Sequence, residues 1–263
     1  MKVTWEGPGW EETREGPGRE ATGEGPGWEE LAPHVGRRRL PRWDCTAGLV
    51  VGGDAALMVD AGASLGEGAR LRAEARRLLG PDRDVTHLAL THPHFDHVLG
   101  AAAFTGVPVF GAAGPGAANP YGGEELRLDA VRHGLGPREA AEAAAALVPP
   151  SHSVAGERTL DLGGGVRARL ADVGPGHTAH DLVVLVTGVA GARRVVFCGD
   201  LVEESGEPQA GPDAVPSRWP AALDRLLALG GEEAVYVPGH GAAVDAAFVR
   251  AQRDALATRF GVS

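Results

Sequence analysis

Apolar and polar positions along this chain fall into strand-like and helix-like blocks, in two successive batches. Residues 48–51, the Gly52-Gly53-Asp54 turn and residues 55–60 read as a β-hairpin. Leu65, Ala69, Leu71, Ala75 and Leu78 recur at helical spacing, and Gly80-Pro81 ends that helix. Residues 86–90 form a short apolar strand, 98–104 a short helix and 107–110 a further strand. Residues 124–148 are rich in Glu and Ala, with a helix over 137–147. The pattern then turns to strands at 159–162, 166–172, 182–187 and 194–198, separated by Gly-rich turns. A helix over 219–229, a strand over 234–237 and a helix over 244–259 close the chain. Two batches of strands followed by helices predict two sheets packed together with helices outside, not a single parallel sheet.

The first thirty residues have a different texture. Glu-Gly-Pro-Gly begins at Glu6, Glu15 and Glu24, and Trp10, Arg19 and Trp28 follow the three copies. Pro-Gly pairs break helices and strands, and acidic filler builds no core. The pattern predicts a loose low-complexity tail over 1–30 and one folded domain over 31–263. Across 263 residues, 43% are apolar and 23% charged, enough for a sizeable core. A formal charge of −10 argues against non-specific nucleic-acid binding, which needs a positive field. No apolar run reaches the roughly 18–20 residues of a membrane span, and the first residues have no apolar signal core. Cys45 and Cys198 make neither a disulfide framework nor a zinc knuckle. These features predict a reduced, cytoplasmic enzyme with a small-molecule substrate; oligomeric state is left open.

Chemistry concentrates in Thr91-His92-Pro93-His94-Phe95-Asp96-His97, directly after a strand. His92 and His94 point the same way in an extended segment, and Asp96 and His97 then enter a helical turn. Imidazole with carboxylate suits Zn²⁺ and tolerates iron or manganese. Packed this tightly without a cation, such groups would repel one another or bury unpaired polar atoms. Three glycine-rich turns at strand ends add His177, Asp200 and His240, each weak evidence alone. His34, His87, His133 and His152 read as structural or exposed, and Arg37-Arg38-Arg39 as a solvated loop. His180 is a candidate pocket residue. Cys198 reads as packed inside its strand, with a place near the ligands as the alternative.

Taken in order, Asp60, the His92/His94/Asp96/His97 cluster, His177, Asp200 and His240 resemble the signature of the metallo-β-lactamase superfamily over about residues 45–245. The resemblance implies an α/β class, four-layer αβ/βα sandwich with two metal ions at one edge of two packed mixed sheets. It implies that His92, His94 and His177 hold the first metal, and Asp96, His97 and His240 the second, with Asp200 bridging. Asp60 would orient a ligand histidine. Two Zn²⁺ per chain would lower the pKa of a bridging water to about 7, and Asp96 would orient that nucleophile and pass on its proton.

The implied reaction is hydrolysis of a small ester, thioester, lactone or lactam. Within the family, the appended helical domain of glyoxalase II is not expected after His240. A lactonase-type tyrosine is doubtful, because Tyr121 and Tyr236 are the only tyrosines. Antibiotic-degrading members are usually exported, flavo-diiron reductases carry glutamate where His94 stands, and nucleases would want a basic footprint. The alternatives are a mononuclear iron oxygenase of the persulfide dioxygenase kind and a non-catalytic metal-binding protein.

Overall fold

The computed structural model describes residues 27–114, 122–188 and 191–262. The first sheet takes seven strands in chain order: β1 (Glu29–Ala32), β2 (Val35–Arg39), β3 (Thr46–Val51), β4 (Ala56–Val59), β5 (His87–Ala89), β6 (Val109–Ala112) and β7 (His152–Val154). Strands β1 to β4 pair antiparallel and β4 to β7 parallel. The parallel half needs crossovers. These carry α1 (Leu65–Leu79) before β5, α2 (Phe95–Val98) before β6, and α3 (Gly123–Arg132) and α4 (Pro137–Ala145) before β7.

The second sheet comprises β8 (Glu157–Asp161), β9 (Arg167–Asp172), β10 (Leu182–Thr187), β11 (Val195–Glu203) and β12 (Val235–His240), in spatial order β12-β11-β10-β9-β8. It is antiparallel except for the β11–β12 pair, which α5 (Trp219–Gly230) connects; α6 (Ala246–Phe260) follows.

Side-chain alternation builds the layers. Along β4, Ala56 and Met58 join the core under α1, whereas Leu57 and Val59 face the other sheet. Along β10, Leu182, Val184 and Val186 fill the space between the sheets, while Val183 and Leu185 pack under α5 and α6. Both faces of each central strand are therefore covered, and their sequences read as near-continuous apolar runs. The result is the expected four-layer sandwich.

Two readings are corrected at the start of the domain. Arg37-Arg38-Arg39 is strand β2, not a solvated loop, and Arg37 and Arg38 are buried. Arg37 pairs with Glu29 at 2.7 Å and Arg38 with Glu74 at 3.1 Å. Trp28, placed by its repeat in the tail, is 4% exposed and donates from Nε1 to Glu74. Together with Glu29 and Glu30 of β1, it belongs to the folded part. The preceding repeats lie outside the described residues. The helix expected over 98–104 divides into α2 and a 3₁₀ turn at Ala101–Phe104. Among the described residues, no helix is long and apolar enough to cross a membrane.

Candidate metal centre

Both sheets contribute to one edge of the sandwich. After β5 the chain turns at Thr91, runs extended to His94, and enters α2, which carries Asp96 and His97 in one turn. From the second sheet come His177 in the β9–β10 loop, Asp200 within β11 and His240 at the end of β12. One donor atom each from His92, His94, His177 and Asp200 lies within 4.8 Å of the others, and the same holds for Asp96, His97 and His240.

Asp200 stands between the groups. Its Oδ2 is 3.6 Å from His92 Nε2, 3.6 Å from His177 Nε2 and 3.3 Å from His240 Nε2, and its Oδ1 is 3.2 Å from His97 Nε2. Asp96 Oδ2 is 3.3 Å from His240 Nε2 and 3.6 Å from His97 Nε2. Gly239 is what permits the approach of β12, since a side chain there would collide with Asp200 Oδ1.

Four imidazoles are gripped by their outward nitrogen. Asp60 Oδ2 accepts from His97 Nδ1 at 2.9 Å and from Thr91 Oγ1 at 2.8 Å. With its proton committed to Asp60, Thr91 Oγ1 accepts from His92 Nδ1 at 3.0 Å. Asp213 accepts from His94 Nε2 at 3.0 Å, and the carbonyl of Trp43 from His240 Nδ1 at 2.7 Å. Each grip turns the ring's other nitrogen toward the centre, as metal-ligating histidines require. Asp60 does this from a left-handed backbone with φ of 60°, a conformation costing on the order of 1–3 kcal/mol for a residue with a side chain.

The centre demands positive charge. Burial alone would push His240 down, but Asp200 and Asp96 outweigh it and raise its pKa to about 12. His97 is likewise driven up against burial by Asp200, Asp96 and Asp60. Asp200, which burial would raise, is held well below the usual carboxylate range by His240, His97 and His92. At His92 and His177 the balance reverses, and burial lowers both, His177 to about 4. His92 Nε2, His97 Nε2 and Asp200 Oδ1 are buried with no aligned hydrogen-bond partner. Ring nitrogens and carboxylate oxygens converging without aligned partners fit divalent cations, which would take the place of the protons on the raised rings.

The structure thus brings together all seven donors singled out in the sequence, with Asp60 behind them. Asp213, the Trp43 carbonyl, Asp181 and Glu203 were not foreseen. Asp181 Oδ1 accepts from Thr178 N (2.9 Å) and Oγ1 (2.8 Å), which fixes the turn carrying His177. Cys45 Sγ donates to the Asp96 carbonyl at 3.5 Å, and burial first and then Asp96 drive its pKa up, so it stays a neutral thiol. Cys198 packs in the core beneath α5, as one of the two readings had it. His180 is buried but outside both donor groups, its ring against Gly114. His87 stacks on Phe110 and His152 lies tilted against it, and His133 stacks on Phe95; none of these histidines is among the donors.

Comparison with known proteins agrees with this arrangement. The family model described as the metallo-beta-lactamase superfamily matches residues 40–240. No curated protein matches the chain. Among solved structures, a metallo-beta-lactamase from Pontibacter korlensis is similar at a TM-score of 0.64 and 22% identity, over 87% of this chain and 97% of that one. The FIM-1 enzyme from Pseudomonas aeruginosa, in its mono-zinc form, has a TM-score of 0.58 and 20% identity, over 86% and 90%. A metallo-beta-lactamase from Hirschia baltica has 0.59 and 16%, over 87% and 96%. At these identities the neighbours speak for the fold alone, whereas the family model spans most of the chain. The chain belongs to the metallo-β-lactamase superfamily.

Proposed function

We propose that this protein is a dinuclear zinc hydrolase of a small carbonyl substrate: an ester, thioester, lactone or lactam. The observation that carries the reading is the position of Asp200, whose two oxygens lie within 3.6 Å of imidazoles from both donor groups. His92, His94 and His177 would hold one ion, and Asp96, His97 and His240 the other, with Asp200 shared. Zinc so bound supplies Lewis acidity toward a carbonyl oxygen and a water acidified to a pKa of about 7.

The chain's own residues do the rest. Asp96, buried at the start of α2, presents a carboxylate that can orient the attacking water and take its proton. Asp60, Thr91, Asp213 and the Trp43 carbonyl keep four imidazoles in register. Asp181 and Thr178 fix the turn of the fifth. The net charge of −10 supports a small substrate over nucleic acid. Two buried free cysteines fit a reducing, cytoplasmic setting.

The test is metal analysis of purified protein combined with a panel of chromogenic esters, thioesters, lactones and lactams. Two zinc ions per chain and turnover on one substrate class are expected. His94→Ala or His240→Ala should each remove most activity, and His133→Ala little. Retention of a single iron, or no hydrolysis of any class by the two-zinc protein, would overturn the reading.

A further inference from the structure

Glu203 is outside the seven donors, yet one of its carboxylate oxygens lies within 4.8 Å of donor atoms of both Asp200 and His240. In a regular strand, residues three apart face opposite sides. Here the β11–β12 pairing slips. Gly199 pairs with Pro238 and Glu203 with His240, so β11 spends four steps against two on its partner. Such a bulge re-aims side chains, and it brings Asp200 and Glu203 to the same side of β11, beside His240.

The Glu203 side chain is held firmly. Ser205 donates to its Oε1 from the backbone N at 3.1 Å and from Oγ at 2.6 Å. Its own backbone N donates to Gln252 Oε1 at 3.0 Å, and Gln252 Nε2 is anchored on the Leu201 carbonyl at 2.8 Å. Glu203 is buried, and hydrogen bonds of this kind to a carboxylate are how ligating carboxylates are commonly supported. If Ser205 merely closed a turn, nothing would require the acid to lie among metal donors.

Glu203 changes the composition of one position only. The three-histidine side offers three imidazoles and the shared Asp200. The other side offers His97 and His240 with Asp96 and Asp200, and Glu203 approaches it from the β11–β12 edge beside Asp200 and His240. Zinc favours four donors rich in nitrogen, whereas a larger, carboxylate-rich set suits Mn²⁺. We propose that Glu203 is a further carboxylate ligand of the second metal position and lets it accept an oxygen-preferring divalent cation of the Mn²⁺ class as well as zinc.

This inference rests on both donor groups holding metal, and its test separates the two. Full-length protein is stripped with chelator, given one equivalent of Zn²⁺ to fill the three-histidine position, and titrated with Mn²⁺. Free Mn²⁺ is read by electron paramagnetic resonance. The wild type should take up one Mn²⁺ per chain. Glu203→Gln should weaken that uptake by about 10–100-fold, as disturbed metal shells do, and keep its zinc. Glu203→Asp retains the charge but shortens the reach by one methylene, so Mn²⁺ uptake should weaken there as well. Under equimolar Zn²⁺ and Mn²⁺, the manganese share of the second position should fall in both variants. Unchanged Mn²⁺ affinity in both variants, or loss of zinc in parallel with manganese, would overturn the role of Glu203. A wild type that takes up neither Mn²⁺ nor a second Zn²⁺ would overturn the dinuclear reading and this inference with it, whereas one that takes a second Zn²⁺ but no Mn²⁺, or the variant outcomes above, would overturn this inference alone.

Discussion

Asp200 lies within 3.6 Å of four imidazole nitrogens drawn from both donor groups, and two acceptor oxygens let one side chain serve both. Asn has nearly the same shape but no charge and a single acceptor oxygen. Asp200→Asn should therefore fold, keep one zinc on the three-histidine side and bind the second about 10–100-fold more weakly. Turnover should fall with it and recover in part at high Zn²⁺. Two tightly held ions with normal turnover would show that Asp200 is not shared. Asp181 yields a different residue-scale expectation. Burial raises its pKa to about 7, although Thr178 donates to Oδ1; Oδ2 has no partner. An acid whose pKa is higher folded than unfolded binds its proton more tightly in the fold. Its contribution to stability is complete below the unfolded value of about 4 and is lost as pH rises to about 7. In chelator-treated protein, urea unfolding between pH 4 and 8 should show wild-type stability falling relative to Asp181→Asn over that window. Parallel pH profiles would mean that Asp181 is ionised throughout.

At the scale of elements, the start of the domain shows where a local pattern fails. Three consecutive arginines have no apolar alternation, so nothing local marks β2 as a strand. It becomes one because Glu29 and Glu74 neutralise Arg37 and Arg38 and β3 supplies the ladder. Trp28 sits in a repeat that reads as tail, but its indole reaches Glu74 on α1, 46 residues away. A chain beginning at residue 27 should match the full protein in stability. One beginning at Leu31 should lose about 3–5 kcal/mol, the usual cost of deleting a buried Trp side chain. It also strips Arg37 of its Glu29 partner. Urea midpoints compare the two, and equal midpoints would mean that β1 and Trp28 contribute nothing. Elements with a strong period and a clear stop were legible by contrast. The helix read from the Leu65-to-Leu78 spacing and ended by Gly80-Pro81 is α1, and the strand over 182–187 is β10. The seven donors were legible because they cluster in sequence or sit in Gly-rich turns at strand ends. Asp213 and Glu203 were not, since one lies in a Pro- and Gly-rich loop and the other depends on a slip in strand register.

At the scale of the whole molecule, the donors join two sheets whose shared interior is apolar. His92, His94, Asp96 and His97 follow β5 of the first sheet, and His177, Asp200 and His240 belong to the second. Ions held between them would tie the sheets together at one edge, and would bind the folded chain only. At free Zn²⁺ one hundred times the dissociation constant, each ion should add about 2.7 kcal/mol. For a domain of this size, each kcal/mol moves Tm by about 2–4 °C, so stripping one ion should lower it by about 5–11 °C. The effect must also depend on pH. His97 and His240 take up protons to balance Asp60, Asp96 and Asp200, and those protons have to leave before the ring nitrogens can hold an ion. The Tm difference between zinc-loaded and chelated protein should therefore narrow as pH falls from 8 to 6. Asp200→Asn should reduce it by about the share of one ion at every pH. A chelator that leaves Tm unchanged would place the ions, if any bind, off the seam between the sheets.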